Sequence, residues 1–221
     1  MRFGLLGKGI DYSFSRAYFA EKFKKEALDH CSYQNFDLPD LTDFKTVLQT
    51  PQLKGMNVTI PYKQEVMPFL DNLDEVSKAI GAVNTIVFNS DGTTTGYNTD
   101  YIGFQKSITP MITAEINAAL VLGTGGASKA VVYALHKMGI KTQYVSRKKG
   151  LNNLTYDDLT EKILKDHKLI VNCTPLGTHP DVHQKPNLKY AQLTSAHVLF
   201  DLIYNPTETA FMKAGKKAGA K

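Results

Sequence analysis

The chain has 221 residues, 43% hydrophobic and 21% charged, proportions that suit a globular protein able to bury a sizeable core as one large or two small domains. Two cysteines, Cys31 and Cys173, exclude a disulfide framework, and no run approaches the ~20 apolar residues of a membrane helix. The net charge of +5 and pI near 9.0 come from dispersed basic residues, which fit a small anionic ligand better than nucleic acid.

Phe3 to Leu6 reads as a first strand, ended by Gly7-Lys8-Gly9. A helix is predicted from Arg16 to Leu28, with Tyr18, Phe19, Phe23 and Ala27 at helical spacing and Ser15 as its N-cap. Cys31 to Phe36 alternates like a strand, Asp40 to Leu48 reads as a short helix, and Gly55 to Thr59 as a strand stopped by Pro61. Short helices are expected at Tyr62 to Leu70 and Asp74 to Ile80. Val83 to Asn89 and Thr93 to Tyr97 flank the turn Ser90-Asp91-Gly92 and read as a hairpin. Tyr101 to Ile108 is a linking helix.

Beyond it the pattern changes. Ala118 to Leu122 is an apolar run, followed by Gly123-Thr124-Gly125-Gly126-Ala127 and a helical pattern carrying Ala130, Val131, Ala134, Leu135 and Met138. Strand, glycine turn and helix form the layout of a dinucleotide-binding βαβ unit. Glycine permits the sharp turn and close approach of a pyrophosphate, and the helix start offers N–H groups and a positive dipole end. Ser128 stands where the third fingerprint glycine would fall. Strands at Lys141 to Val145, Leu169 to Asn172 and Val198 to Leu202 alternate with helices at Leu159 to Leu164 and Thr207 to Lys217, with a Pro- and His-containing loop at Thr174 to Pro186. This alternation implies a largely parallel, doubly wound sheet.

An NAD site places an acid about 20 positions after the first glycines. Here the second strand ends in Val145-Ser146-Arg147-Lys148. A hydroxyl and two cations suit a ribose 2′-phosphate, hence NADP; a solvated basic turn has the same composition.

Six segments then converge: Ser13-Phe14-Ser15, Asn57-Val58-Thr59-Ile60-Pro61-Tyr62-Lys63, Gly81-Ala82-Val83-Asn84-Thr85, Gly96-Tyr97-Asn98-Thr99-Asp100, the glycine loop 123–127, and Asn172-Cys173-Thr174-Pro175-Leu176-Gly177. In order and spacing, over essentially the whole chain, they resemble the shikimate dehydrogenases. The resemblance implies an α/β fold: an N-terminal mixed βα substrate domain (1–100), a Rossmann-like, doubly wound NADP-binding domain (101–221), and an active site in the cleft between them. It implies the reversible NADPH-dependent reduction of 3-dehydroshikimate to shikimate, in chorismate and aromatic amino-acid biosynthesis. Ser13 and Ser15 match the pair that binds the substrate carboxylate, with Tyr204 near it. Thr59, Lys63, Asn84 and Asp100 match the ring-hydroxyl and catalytic set, Lys63 and Asp100 being the catalytic pair. Gly123, Thr124, Gly125, Gly126, Ala127, Ser146, Arg147, Lys148, Thr174 and Leu202 fall to NADP(H).

Elementary chemistry reads the same residues compatibly. Two serines before a helix start supply donors for an anion, although Ser15 as a cap and Ser13 as a loop residue would look the same. Hydride addition to a carbonyl leaves negative charge on oxygen, which a cation or proton donor stabilises. Lys63 suits that role with Asp100 orienting it; a Lys–Asp surface pair has the same composition, and whether Lys63 transfers the proton or only polarises the oxygen stays open. His179 and His183 are four apart, but Pro180 argues against a helical metal site, and no metal is expected. Cys173 reads as a packed thiol. A quinate-type dehydrogenase using NAD, or a catalytically silent NADP-binding regulator, is the alternative.

Two departures from the family pattern stand out. Lys8-Gly9, Tyr12 and Arg16 occupy places where the family commonly has Asn-Pro, His and Pro. Family members also continue past the equivalent of Lys221 with a strand and helices that return to the substrate domain and bring a substrate-binding glutamine. The expectations are therefore exposed apolar surface and low activity for a 221-residue form, a cytoplasmic setting without signal peptide, a small-molecule substrate, and a monomer or homodimer that engages neither nucleic acid nor membrane.

Overall fold

The computed structural model describes residues 1–11 and 13–221, so Tyr12 lies outside the described residues. The chain divides into two units, Met1–Asp100 and Tyr101–Lys221.

In the first unit, short apolar runs separated by glycine and polar turns build one mixed sheet. Its strands are β1 (Arg2–Gly7), β2 (Ser32–Asp37), β3 (Leu53–Val58), β4 (Asn72–Leu73), β5 (Thr85–Phe88) and β6 (Thr94–Tyr97), in the order β2-β1-β3-β5-β6-β4. β1 runs parallel to β2 and β3, while β5 is antiparallel to both β3 and β6. The helices are α1 (Ser15–Lys25), α2 (Phe44–Leu48) and α3 (Glu75–Ile80). Asp74 caps α3 by accepting from Val76 N at 3.2 Å and Ser77 N at 3.0 Å, and Gly81 closes it in the left-handed region. Leu6, Phe44, Met56, Val58, Tyr62, Val83 and Ile86 form the core.

The second unit opens with α4 (Asp100–Ile108), whose first residue is the last of unit one. Its strands are β7 (Ala118–Leu122), β8 (Lys141–Ser146), β9 (Asn153–Thr155), β10 (Leu169–Asn172) and β11 (Val198–Asp201), and its further helices are α5 (Gly126–Lys137), α6 (Glu161–Asp166) and α7 (Ala210–Lys217). The order is β11-β10-β7-β8-β9, with every neighbouring pair parallel. This is the doubly wound order, with its switch point between β7 and β10. β7 shows why the sheet needs helices on both faces. Ala119 and Val121 enter one core with residues of α4 and α5, and Leu120 and Leu122 enter the other with residues of α6 and α7. Leu120 and Leu122, fully buried, each contribute about 2 kcal/mol of burial.

Several sequence expectations are corrected. α1 stops at Lys25 rather than Leu28, because Ala27 turns to φ 53° and Leu28 N donates back to Phe23 O at 2.9 Å. That is a Schellman stop with alanine in place of glycine, invisible to a propensity argument. The N-cap position of α1 is Phe14, without a side-chain cap, so Ser15 is its first residue. Tyr62 to Leu70 is a run of turns with one 3-10 turn, Met67–Phe69; Pro68 lacks the donor a longer helix needs. α2, α6 and α7 start later than expected, the last two behind Thr160 and Thr209, whose hydroxyls accept from Ile163 N and Met212 N. β4 and β9 were not foreseen; both are edge strands too short for a two-residue period to show. Among the described residues no helix is long and apolar enough to cross a membrane.

Candidate active site

A polar arrangement in unit one is built around the end of β3, the start of β5 and the end of β6. Val58 N donates to Asn84 O at 2.8 Å, Asn84 N to Tyr97 O at 3.0 Å, and Val83 N to Lys63 O at 2.7 Å. These main-chain bonds bring three separate sequence segments to one place. Lys63 Nζ then lies 2.7 Å from Asp100 Oδ2, with only 15% of the lysine side chain exposed. Asn84, buried, donates from Nδ2 to Asp100 Oδ1 at 2.7 Å and to Thr99 Oγ1 at 3.0 Å, while its Oδ1 accepts from Thr99 N at 2.8 Å. Both carboxylate oxygens of Asp100 are thus held. Its backbone is fixed as well: Asp100 N donates to Asn98 Oδ1 at 3.1 Å, and Asn98 Nδ2 donates to Ala82 O at 2.9 Å. An ammonium has three N–H donors. Among the described residues Asp100 is the one hydrogen-bond acceptor on Lys63 Nζ, which leaves donor capacity for an oxygen ligand. Thr59, half-buried, sits one turn before Lys63, its N–H bound to Leu6 O at 2.9 Å and its carbonyl to Tyr62 N at 3.0 Å.

The serines lie in the loop that follows β1. Ser13 Oγ accepts from Ser15 N at 3.3 Å, and Ser13 N donates to Ile10 O at 2.9 Å. The preceding loop is pinned by Asp37, whose carboxylate accepts from Gly9 N at 2.8 Å and Ile10 N at 2.9 Å. Tyr33 stacks on Phe19 at 4.4 Å between ring centroids and donates from its hydroxyl to Asn57 Oδ1 at 2.8 Å. Burial pushes the Tyr33 phenol up, with a hydrogen bond from the Ser15 side chain acting the other way. Asp37, Tyr33, Asn98 and Thr99 were missed at the sequence level. For Asn98 and Thr99 the signal was present, since they sit inside the Gly96-to-Asp100 segment; for Asp37 and Tyr33 nothing local distinguishes them.

In unit two the glycine turn occupies the carboxyl end of β7. Gly123 has φ 102°, and a Cβ there would meet Thr174 Cγ2 at 3.2 Å and Cys173 O at 3.3 Å. The turn thus passes against the one after β10, and glycine is required on both grounds. Gly125 is the N-cap residue of α5 and Gly126 its first residue; the first turn contains no acidic side chain. Thr124 and Gly125 are exposed and Gly126 and Ala127 half-buried, so the helix start presents N–H donors and its positive end to solvent. Ser128, fully buried, donates to Gly125 O at 2.7 Å, which accounts for a serine where the fingerprint has glycine.

At the end of β8, Arg147 and Lys148 are exposed and, among the described residues, neither is ion-paired, whereas Lys149 is bound to Asp158 at 2.6 Å. Two available cations with no acid beside them fit a 2′-phosphate. The Ser146 hydroxyl donates to Lys148 O at 2.6 Å and accepts from Asn153 Nδ2 at 2.9 Å, bonds that shape this turn. Thr174 donates to Asn172 Oδ1 at 2.7 Å, and Leu202 N to Asn172 O at 3.1 Å. Burial pushes the Cys173 thiol well up, with the charge of Asp201 adding to it, and the half-buried side chain packs against the core shared by α4 and α5. Tyr204 is 68% exposed. Among the described residues no group of three or more His, Cys, Asp and Glu is placed to hold a metal, His179 and His183 included.

A doubly wound nucleotide-binding unit joined to a unit that pairs an ammonium with a held carboxylate defines a class, the two-domain nicotinamide-dependent oxidoreductases. The family profile described as the shikimate dehydrogenase substrate binding domain matches residues 5–86. A shikimate dehydrogenase (NADP(+)) of Methanosphaera stadtmanae is 34% identical over 98% of this chain and 83% of its own length. Shikimate 5-dehydrogenase of Thermus thermophilus, solved with NADP(H) and shikimate, superposes over the whole chain and 85% of its own with a TM-score of 0.85 at 28% identity. Quinate dehydrogenase of Corynebacterium glutamicum, solved with NAD, superposes over the whole chain and 86% of its own with a TM-score of 0.84 at 28% identity. The chain belongs to the shikimate dehydrogenase family.

Proposed function

We propose that this chain catalyses the reversible reduction of 3-dehydroshikimate to shikimate with NADPH, an oxidoreductase step at a CH–OH carbon in chorismate and aromatic amino-acid biosynthesis. The observation that carries the reading is the Lys63–Asp100 pair, held at 2.7 Å by Asn84 and set in a family member.

In the forward direction the bound cofactor supplies a hydride to the carbonyl carbon. The carbonyl oxygen gains negative charge as that bond forms. Lys63 Nζ donates a hydrogen bond to this oxygen; the proton that completes the hydroxyl comes either from Lys63 itself, left as the neutral amine and recharged from solvent, or from solvent while Lys63 only polarises the oxygen. Asp100, held by Asn84 at its other oxygen, keeps the Lys63 side chain aimed. In reverse, Lys63 accepts the hydroxyl proton as hydride leaves carbon. Ser13 and Ser15 bind the substrate carboxylate with Tyr204 contributing, and Thr59 and Asn84 hold ring hydroxyls. The 123–127 turn cradles the pyrophosphate. Arg147 and Lys148 take the 2′-phosphate with Ser146 ordering their turn, and Thr174 and Leu202 line the nicotinamide side. Residues 1–100 act as the substrate domain and 101–221 as the cofactor domain. The protein is expected to work in the cytoplasm on small molecules, as a monomer or homodimer.

A panel of shikimate and quinate against NADP and NAD tests this reading. The expected result is the highest kcat/KM for shikimate with NADP. A preference for quinate with NAD, the pair named for the Corynebacterium glutamicum neighbour, would overturn it.

A further inference from the structure

A buried polar network lies beneath the turns that follow β10 and β11. Asp201, at the end of β11, accepts at Oδ1 from Asn172 Nδ2 (3.1 Å) and from Ile203 N (3.0 Å), and at Oδ2 from Thr209 Oγ1 (2.7 Å). Asn172 and Thr209 are fully buried. Asn172 passes the constraint on, because its Oδ1 accepts from both Thr174 N (3.0 Å) and Thr174 Oγ1 (2.7 Å), and Thr174 Oγ1 accepts from Leu176 N (3.3 Å). The far side of the same turn closes on Thr209: Gly177 has φ 102°, and a Cβ there would meet Gln184 O at 2.9 Å and Thr209 Cβ at 3.7 Å. One carboxylate therefore ties together the 174–177 turn, the 202–203 segment and the start of α7. Burial drives its pKa up against the three hydrogen bonds, so keeping it there opposes desolvation.

We infer that Asp201 is a positioning residue for hydride transfer: through Asn172 and Thr209 it fixes the Thr174–Gly177 turn, and so the depth and tilt at which the nicotinamide end of the cofactor is held. The inference rests on the proposed assignment of that turn to the nicotinamide side. The 123–127 turn and the 146–148 turn, which hold the rest of the nucleotide in the proposal, share no hydrogen bond with this network among the described residues. Gly123 packs against Thr174, so the two ends share a van der Waals contact but no hydrogen bond, and a change at Asp201 is transmitted first to the 174–177 turn.

Asp201→Asn keeps the shape but must turn an NH2 toward the Thr209 hydroxyl, which removes that acceptor. Three measurements on the purified chain decide the matter: the dissociation constant of adenosine 2′,5′-bisphosphate, which lacks the nicotinamide half; kcat for shikimate oxidation; and the isotope effect on that oxidation with shikimate deuterated at the carbon that gives up hydride. In Asp201→Asn the bisphosphate affinity should match wild type, kcat should fall about ten- to a hundredfold, and the isotope effect should rise as misaligned hydride transfer becomes limiting. Should that variant fail to fold, Thr209→Val replaces it with a smaller loss in the same direction, and Thr209→Ser, which keeps the hydroxyl, restores kcat. An unchanged kcat and isotope effect would overturn the inference. So would bisphosphate affinity falling together with kcat, since that would mean general loosening of the unit. Failure of wild type to bind the bisphosphate would instead remove the nucleotide assignment on which the inference rests.

Discussion

Replacing Lys63 by methionine keeps the apolar stem and removes the ammonium. The structure separates the two costs of that change. For the fold, Asp100 loses one partner but keeps Asn84 Nδ2 at 2.7 Å, and its side chain is 35% exposed, so the carboxylate is not stranded. A partly solvated pair of this kind is worth about 1 kcal/mol, and stability should fall by no more than that. For catalysis, the substrate oxygen loses its only proposed proton donor. Removing a positioned acid typically costs about a hundred- to ten-thousandfold, or about 3 to 5 kcal/mol of barrier. The assay is kcat from NADPH absorbance beside thermal unfolding of the same preparation. A large loss of kcat at nearly unchanged stability is the expected outcome. Near-wild-type kcat would refute the role of Lys63, and a collapse of stability matching the loss of activity would refute the separation.

Arg147→Ala should raise KM for NADP about tenfold, the value of a charge-assisted hydrogen bond reduced for exposure, and leave NAD almost untouched; the gap should narrow at high salt, and equal losses for both cofactors would contradict the 2′-phosphate assignment. Gly123→Ala places a Cβ against Thr174 Cγ2 at 3.2 Å with φ at 102°, so strain of about 1 to 3 kcal/mol should appear as a lowered unfolding temperature and weaker NADP binding; isothermal titration beside calorimetry would show it. Asp158 is held down to about 2, from an ordinary 3.8, first by its bond to Lys149 and then by the Thr155 N–H. Because its folded value is depressed, its contribution to stability is complete above pH 3.8 and disappears as pH falls toward 2. Asp158→Asn should therefore flatten that part of the acid unfolding curve, and an unaltered acid limb would show the contact to be inert.

Much of the architecture was legible in the sequence because short buried strands and glycine turns leave strong local patterns. Ala118 to Leu122 could be read to the residue, since a strand buried on both faces is continuously apolar and glycines end it abruptly. The stop of α1 could not, because Ala27 in the left-handed region contradicts its own propensity and is imposed by the return bond of Leu28. The Lys63–Asp100 pair, 37 residues apart, illustrates the limit of local reading. Physical reasoning left it indistinguishable from a surface ion pair, and only the family motifs singled it out. Asn84 holding the carboxylate and Asp37 holding the loop before the serines are relations across strands. They depend on which segments the sheet brings side by side, and no spacing in one segment encodes that. The Asp201 network is of the same kind, as its members run from the last residue of β10, across the loop after it and β11, to the start of α7.

The central claim is that this chain moves a hydride between shikimate and NADP. The most direct test is the initial rate of absorbance increase at the NADPH band after shikimate and NADP are added to the purified protein, with Lys63→Met as the blank. Steady NADPH formation that depends on both additions and is almost absent in the variant is the expected result. No absorbance change with wild type, or equal rates for wild type and variant, would contradict it.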